Sequence, residues 1–146
     1  MIFDPWRSKW GIDTSKIYTD IDEFISKVKG VRSALILIDE SGLQLNRYDS
    51  EHTWLATESR HYGHSVIFIS QRPSMLSPTI RYQCEQCFMF GMVIDDIIEL
   101  SKQFNHSELV KLPQLDRLEC YKIVPFKPII KLKIDYKTLN IKSYAV

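Results

Sequence analysis

Leu35-Ile36-Leu37-Ile38 runs directly into Asp39-Glu40. An apolar strand ending in two adjacent acids suits nucleotide hydrolysis for a physical reason. The strand holds the aspartate rigidly where it can act on Mg²⁺ through a water, and the glutamate can polarise the attacking water. Alone, the pattern defines no function, because apolar strands ending in acids recur in many α/β proteins. A second stretch, Arg60 to Ser74, places a basic residue before Gly63, then the apolar run Val66-Ile67-Phe68-Ile69, then Ser70-Gln71-Arg72-Pro73-Ser74. A third set, His61 and His64 with Cys84 and Cys87, has the short spacings from which a tetrahedral zinc site could close. The bland reading of that set is a turn flanked by histidines and a buried strand beginning at Cys87.

The elements that must hold these residues follow from the patterning. Ile2-Phe3 reads as a short strand stopped by Pro5, with Asp4 at its tip. Ile17 to Val28 reads as a helix capped by Asp20 and ended by Gly30, with Ile21, Phe24, Ile25 and Val28 at helical spacing. Ala34 to Ile38 has the continuous apolar character of a strand covered on both faces. A second helix is expected over Ser50 to Tyr62, capped by Asp49 or Ser50 and stopped by Gly63, followed by a strand over Ser65 to Ser70. A helical turn near Thr79 to Gln83 leads into a third strand from Cys87, and Asp95 to Phe104 follows as a helix. The alternation of strand and helix predicts a doubly wound α/β sheet, with Asp4, Asp39-Glu40 and Ser70-Gln71 at the carboxyl ends of its strands. The segment from Tyr121 onward alternates apolar residues with lysines and reads as exposed strands.

Together, Ala34 to Glu40 and Arg60 to Ser74 closely resemble the Walker B and sensor region of FtsK/HerA-type P-loop ATPases, most nearly the DNA-packaging ATPases of viruses and phages. Thr79-Ile80-Arg81 leading into Cys87-Phe88-Met89-Phe90 looks like that family's next helix and strand, and Leu112-Pro113-Gln114-Leu115 with Tyr121 like its closing segment. The resemblance implies a RecA/FtsK-like core, a mostly parallel sheet flanked by helices, without the first strand and phosphate loop. It spans residues 1–125 as a partial ATPase core, with 126–146 as a lysine-rich tail of the same domain. Carried over by position, it makes Asp39 the Mg²⁺-associated acid, Glu40 the water-activating carboxylate and Gln71 the sensor of the γ-phosphate. It makes Arg60 a residue offered to a neighbouring subunit's nucleotide, with Arg72 and Arg81 as alternatives; the bland reading of Arg60 is a solvated arginine at a helix end. One departure is plain: no Gly-x-x-x-x-Gly-Lys-Ser/Thr occurs, and the five glycines are scattered. That loop supplies the backbone amides and lysine that hold the phosphates, so these residues alone are expected to bind ATP poorly.

With 45% hydrophobic residues, 25% charged residues and a net charge of +1, the chain suits one globular domain, and nucleic acid would have to be met by local basic clusters. No leader-like segment and no apolar stretch approaching a membrane span is apparent, and the three cysteines read as reduced thiols, so a cytoplasmic protein without a membrane partner is expected. The resemblance implies ATP and Mg²⁺ as cofactors, double-stranded DNA as a partner, a homo-oligomeric ring of five or six subunits, and a viral portal or capsid protein as a further partner. The DNA-contacting candidates are 46–51 and the basic tail 127–142, with the tail's lysines alternatively protecting an edge strand from pairing. Beside the packaging motor, and beside a zinc-dependent or redox protein using the histidine and cysteine pairs, two further readings stand. One is the assembly ATPase of filamentous phages, the zonula occludens toxin-like group, which the Arg60-His61-Tyr62-Gly63 stretch also resembles. The other is a degenerate ATPase domain, without a phosphate loop, serving as an interaction module.

Overall fold

The computed structural model describes residues 1–8, 17–46 and 48–145, which form two compact units, Met1–Gln83 and Cys84–Val146. Each is built around its own apolar cluster.

The first unit carries a parallel sheet in the order β2-β1-β3-β4, from β1 (Ile2–Phe3), β2 (Ile17–Tyr18), β3 (Leu35–Ile38) and β4 (Ser65–Phe68). Helix α1 (Ile21–Lys29) starts where the Asp20 carboxylate accepts the Glu23 N–H at 2.8 Å, and it buries Phe24, Ile25 and Val28. It begins later than the periodicity suggested, because Ile17–Tyr18 is drawn into pairing with β1. The expected helix over 50–62 is α3 (Ser50–Thr57) followed by a separate 3-10 turn at Ser59–Tyr62. Gly63 stops that turn at φ 77°, and a Cβ there would meet Ser33 Oγ at 2.9 Å. Two short elements complete the unit, α2 (Ser41–Gln44), which sequence patterning did not anticipate, and α4 (Pro78–Gln83).

The expectation that β3 is covered on both faces is not met. Ile36 and Ile38 are fully buried with Phe3, Phe24 and Leu55, whereas Leu35 is 59% exposed and Ile67, on the same face of β4, is 46% exposed. A continuous apolar run specifies two apolar faces; it does not supply the second layer.

The second unit is an antiparallel sheet in the order β5-β6-β7-β8, from β5 (Cys87–Met89), β6 (Glu119–Ile123), β7 (Ile130–Ile134) and β8 (Ile141–Ala145). Cys87–Met89 therefore pairs antiparallel with β6 instead of extending the parallel sheet. Helix α5 (Ile94–Gln103) contributes Leu100 to a core shared with Met89, Phe104, Leu109, Tyr121 and Ile123. The tail beyond residue 126 forms β7 and β8. Only Lys142 of its strand lysines lies on the edge strand, since β7 is flanked on both sides, so edge protection does not account for Lys131 and Lys133. Those two instead pair with Glu119, at 2.7 and 3.5 Å.

Candidate active site

Three acids and one amide gather at the carboxyl edge of the parallel sheet. Asp4 leaves β1 fully buried, its carboxylate accepting the N–H groups of Trp6 at 2.8 Å and Ser8 at 2.5 Å. Asp39 leaves β3 with its own N–H bonded to the Phe3 carbonyl at 2.9 Å, which fixes it beside the end of β1. Its carboxyl group is raised above the ordinary range, first by burial and then by the charges of Asp4 and Glu40, against the lowering effect of the Glu40 N–H it accepts at 3.0 Å. An ionised Asp39 therefore sits among like charges that a bound cation would relieve.

Glu40 turns the chain. Its backbone lies in the left-handed region, φ 49° and ψ 33°, a conformation a non-glycine residue adopts only when its surroundings impose it. The imposition comes from the next two residues. Ser41 is fully buried, and both its N–H and its Oγ donate to the Ile69 carbonyl, at 2.9 and 2.6 Å. Gly42 packs so closely that a Cβ there would lie 2.5 Å from Ser70 Oγ and 2.6 Å from Met75 Cβ. The turn after β3 is thereby clamped onto the segment leaving β4. Ser70 Oγ donates to the Arg72 carbonyl at 2.9 Å and holds that segment's own bend before Pro73. With both loops fixed, Gln71 Nε2 donates to Glu40 Oε1 at 3.0 Å.

Of the residues singled out in the sequence, Asp39, Glu40 and Gln71 are brought together. Arg60 is not. It is exposed in the 3-10 turn that precedes β4, at the opposite end of that strand from Gln71. The strand from Ser65 to Phe68 alone accounts for about 10 Å of that separation at roughly 3.3 Å per residue. Arg72 contributes its carbonyl to the bend, and Arg81 is half-buried on α4. Ser41 and Gly42 were missed; the only hint was two small residues directly after the acids.

The histidine and cysteine set is differently engaged. His64 is buried, accepts the Ala34 N–H through Nδ1 at 3.1 Å, and stacks on Tyr62 with ring centroids 6.1 Å apart. Burial, reinforced by Cys84 and Cys120, pushes the Cys87 thiol up to about 12, far from thiolate chemistry. Among the described residues no group of three or more His, Cys, Asp or Glu is arranged to hold a metal ion, and no helix is long and apolar enough to cross a membrane.

No curated protein matches the chain. Among solved structures, the genome packaging NTPase B204 from Sulfolobus turreted icosahedral virus 2 in complex with AMPPCP is similar, with a TM-score of 0.60 and 18% identity over 88% of this chain and 64% of that one. The same NTPase in complex with sulfate gives a TM-score of 0.66 and 17% identity, covering 98% of this chain and 79% of that one. B204, the DNA-packaging ATPase from Sulfolobus turreted icosahedral virus, gives 0.65 and 16%, covering 98% and 80%. At these identities the likeness establishes the fold alone, an α/β fold with a parallel sheet flanked by helices. The chain spans 64% of the length of the first of these structures. The family model for Zonular occludens toxin (Zot) matches residues 11–141, and the chain accordingly belongs to the Zot family.

Proposed function

We propose that this chain is the catalytic-acid and sensor portion of an ATP-driven DNA translocase of the genome-packaging kind. The single observation that carries the reading is the Gln71–Glu40 hydrogen bond of 3.0 Å at the carboxyl edge of a parallel sheet, beside Asp39. In this reading residues 1–125 belong to one ATPase core and 126–146 are its tail.

The residues divide the work by their chemistry. Glu40, partly exposed, accepts a proton from an attacking water; Gln71 orients Glu40 and reports on the terminal phosphate. Asp39 would hold Mg²⁺ through water, a fit supported by the crowding of its carboxylate against Asp4 and Glu40. Bound ATP with Mg²⁺ would supply the phosphoryl group and the charge that offsets that crowding. The glycine-rich loop that would cradle the phosphates does not occur in these 146 residues. The exposed apolar face of β3 and β4 is a suitable surface for a further helix, and β4, at the edge of the sheet, could pair with a further strand leading into that loop. Arg60 would act on the nucleotide of an adjacent subunit in a ring, away from its own chain's acids, and the ring would enclose double-stranded DNA in the cytoplasm of a host cell, against a portal or capsid protein.

The test joins a segment with Gly-x-x-x-x-Gly-Lys-Ser/Thr upstream of residue 1 and measures ATP turnover beside residues 1–146 alone. Turnover confined to the longer protein is expected. Robust hydrolysis by residues 1–146 alone, or none by either, would overturn the reading. The Zot family match favours one second reading, an ATPase of filamentous-phage assembly, which shares the chemistry and differs in the partner moved. A non-enzymatic interaction module is separated by the same turnover measurement.

A further inference from the structure

The second unit carries basic and aromatic residues that the proposed chemistry does not use. From Cys120 to Val146 there are six lysines, Lys122, Lys127, Lys131, Lys133, Lys137 and Lys142, against the single acid Asp135. Glu119 takes up Lys131 and Lys133, which removes them from the account. Lys122 and Lys127 make no ion pair among the described residues, and they line one groove of about 460 Å³ together with Pro128, Ile130 and a single acid, Glu85. Lys122 lies over the Phe88 ring at 5.9 Å, and the cross-strand register sets Phe88, Lys122 and Ile130 side by side on one face of the sheet. Phe88 is 47% exposed, and Phe126, next to Lys127 in the turn after β6, is 87% exposed.

An exposed phenylalanine on a sheet face, beside lysines that make no ion pair, supplies the two components that bind a single nucleic-acid strand. Lysines track the phosphates, and an open ring stacks on a base whose π-face a paired duplex hides. A wholly apolar partner would leave Lys122 and Lys127 without counter-charge. A duplex would satisfy the lysines but leave the rings without bases. We infer that the face formed by Phe88, Lys122, Lys127 and Ile130 binds single-stranded nucleic acid without sequence preference. The inference is independent of ATP hydrolysis, since the unit needs no nucleotide to present this face.

The test uses residues 1–146 without nucleotide, with a fluorescent 20-nucleotide single strand of mixed sequence, the matching duplex, and polyphosphate of equal charge as a base-free competitor. Expected are tighter binding to the single strand than to the duplex, weak competition by polyphosphate, and a log–log salt dependence that flattens by about 0.7 for each of Lys122→Ala and Lys127→Ala. Phe88→Ala should weaken single-strand binding by about tenfold or more, and Phe88→Trp should restore it, which separates stacking from folding. Lys137→Ala, in the turn after β7, should change little. Equal or tighter duplex binding, full competition by polyphosphate, or no effect of Phe88→Ala in a folded variant would each overturn the inference, as would the absence of binding at low salt. None of these outcomes bears on the ATPase reading, which is judged by turnover.

Discussion

Gln71 Nε2 donates to Glu40 Oε1 at 3.0 Å, joining the loops that leave two neighbouring parallel strands. Residues 31 apart in sequence meet because Ser41 and Gly42 clamp one loop onto the other. In a version of the protein that hydrolyses ATP, Glu40→Gln should keep nucleotide affinity while lowering turnover by roughly 10²–10⁴-fold, because an amide cannot accept the proton from water. Titration of nucleotide binding beside a turnover assay checks it; equal loss of both would assign Glu40 to supporting the strand.

The clamp itself is open to test in residues 1–146. Gly42→Ala should destabilise the first unit by about 1–3 kcal/mol, since its Cβ would overlap Ser70 Oγ and Met75 Cβ. Ser41→Ala should cost about 1 kcal/mol, because the Ile69 carbonyl keeps the backbone N–H and loses the hydroxyl. Urea unfolding measures both, and a Gly42→Ala variant as stable as the parent would show that α2 does not need its close approach.

Asp39 should show the opposite balance. Its carboxyl group is raised in the folded state, so the ionised form opposes folding at neutral pH, and Asp39→Asn should raise the melting temperature in metal-free buffer. The amide oxygen can still accept the Glu40 N–H. In a hydrolysing version the same change should weaken Mg²⁺ dependence, and an unchanged melting temperature would mean that burial and the neighbouring acids do not oppose the Asp39 charge in solution.

His106 gives the second unit a pH dependence. Burial opposes its charge, but hydrogen bonds to the Val124 carbonyl at 2.9 Å and the Glu108 carboxylate at 2.6 Å outweigh it and raise its pKa above 6.5. A raised folded value means this contribution is fully present below the unfolded value near 6.5 and is lost as pH rises through the higher folded value. His106→Gln should abolish that decline, and it also removes the hydrogen bond and the charge through which His106 helps to hold the Glu108 carboxyl below its ordinary value. Denaturant unfolding at pH 5.5, 7 and 8.5 reads the difference, and parallel pH profiles of parent and variant would disprove the assignment.

Arg60 is distant from its own chain's acids, so a catalytic role requires a second subunit. If it crosses to a neighbour's nucleotide, Arg60→Ala should lower turnover on the order of a thousandfold in an assembled, hydrolysing ring. Mixing it with Glu40→Gln subunits should then restore part of the activity. Normal turnover by Arg60→Ala with no recovery in mixed rings would leave Arg60 as a solvated residue of the 3-10 turn.

What the sequence determined by itself was local. Helix α1 was legible because Asp20, Gly30 and the spacing of Phe24, Ile25 and Val28 act within a few turns, and β3 and β4 because their apolar runs match strand length. Asp39, Glu40 and Gln71 were legible as strand-end polar residues and through their resemblance to a known motif. Tertiary structure decided what those runs pair with. Two residues of β2 became a strand because β1 was there to bond them, and Cys87–Met89 joined an antiparallel sheet because β6 offered its edge; neither strand carries its partner in its own pattern. The left-handed turn at Glu40 was also a tertiary outcome. No local preference favours that conformation at a glutamate, and it persists because Ser41 is anchored to Ile69 and Gly42 lets the two loops touch.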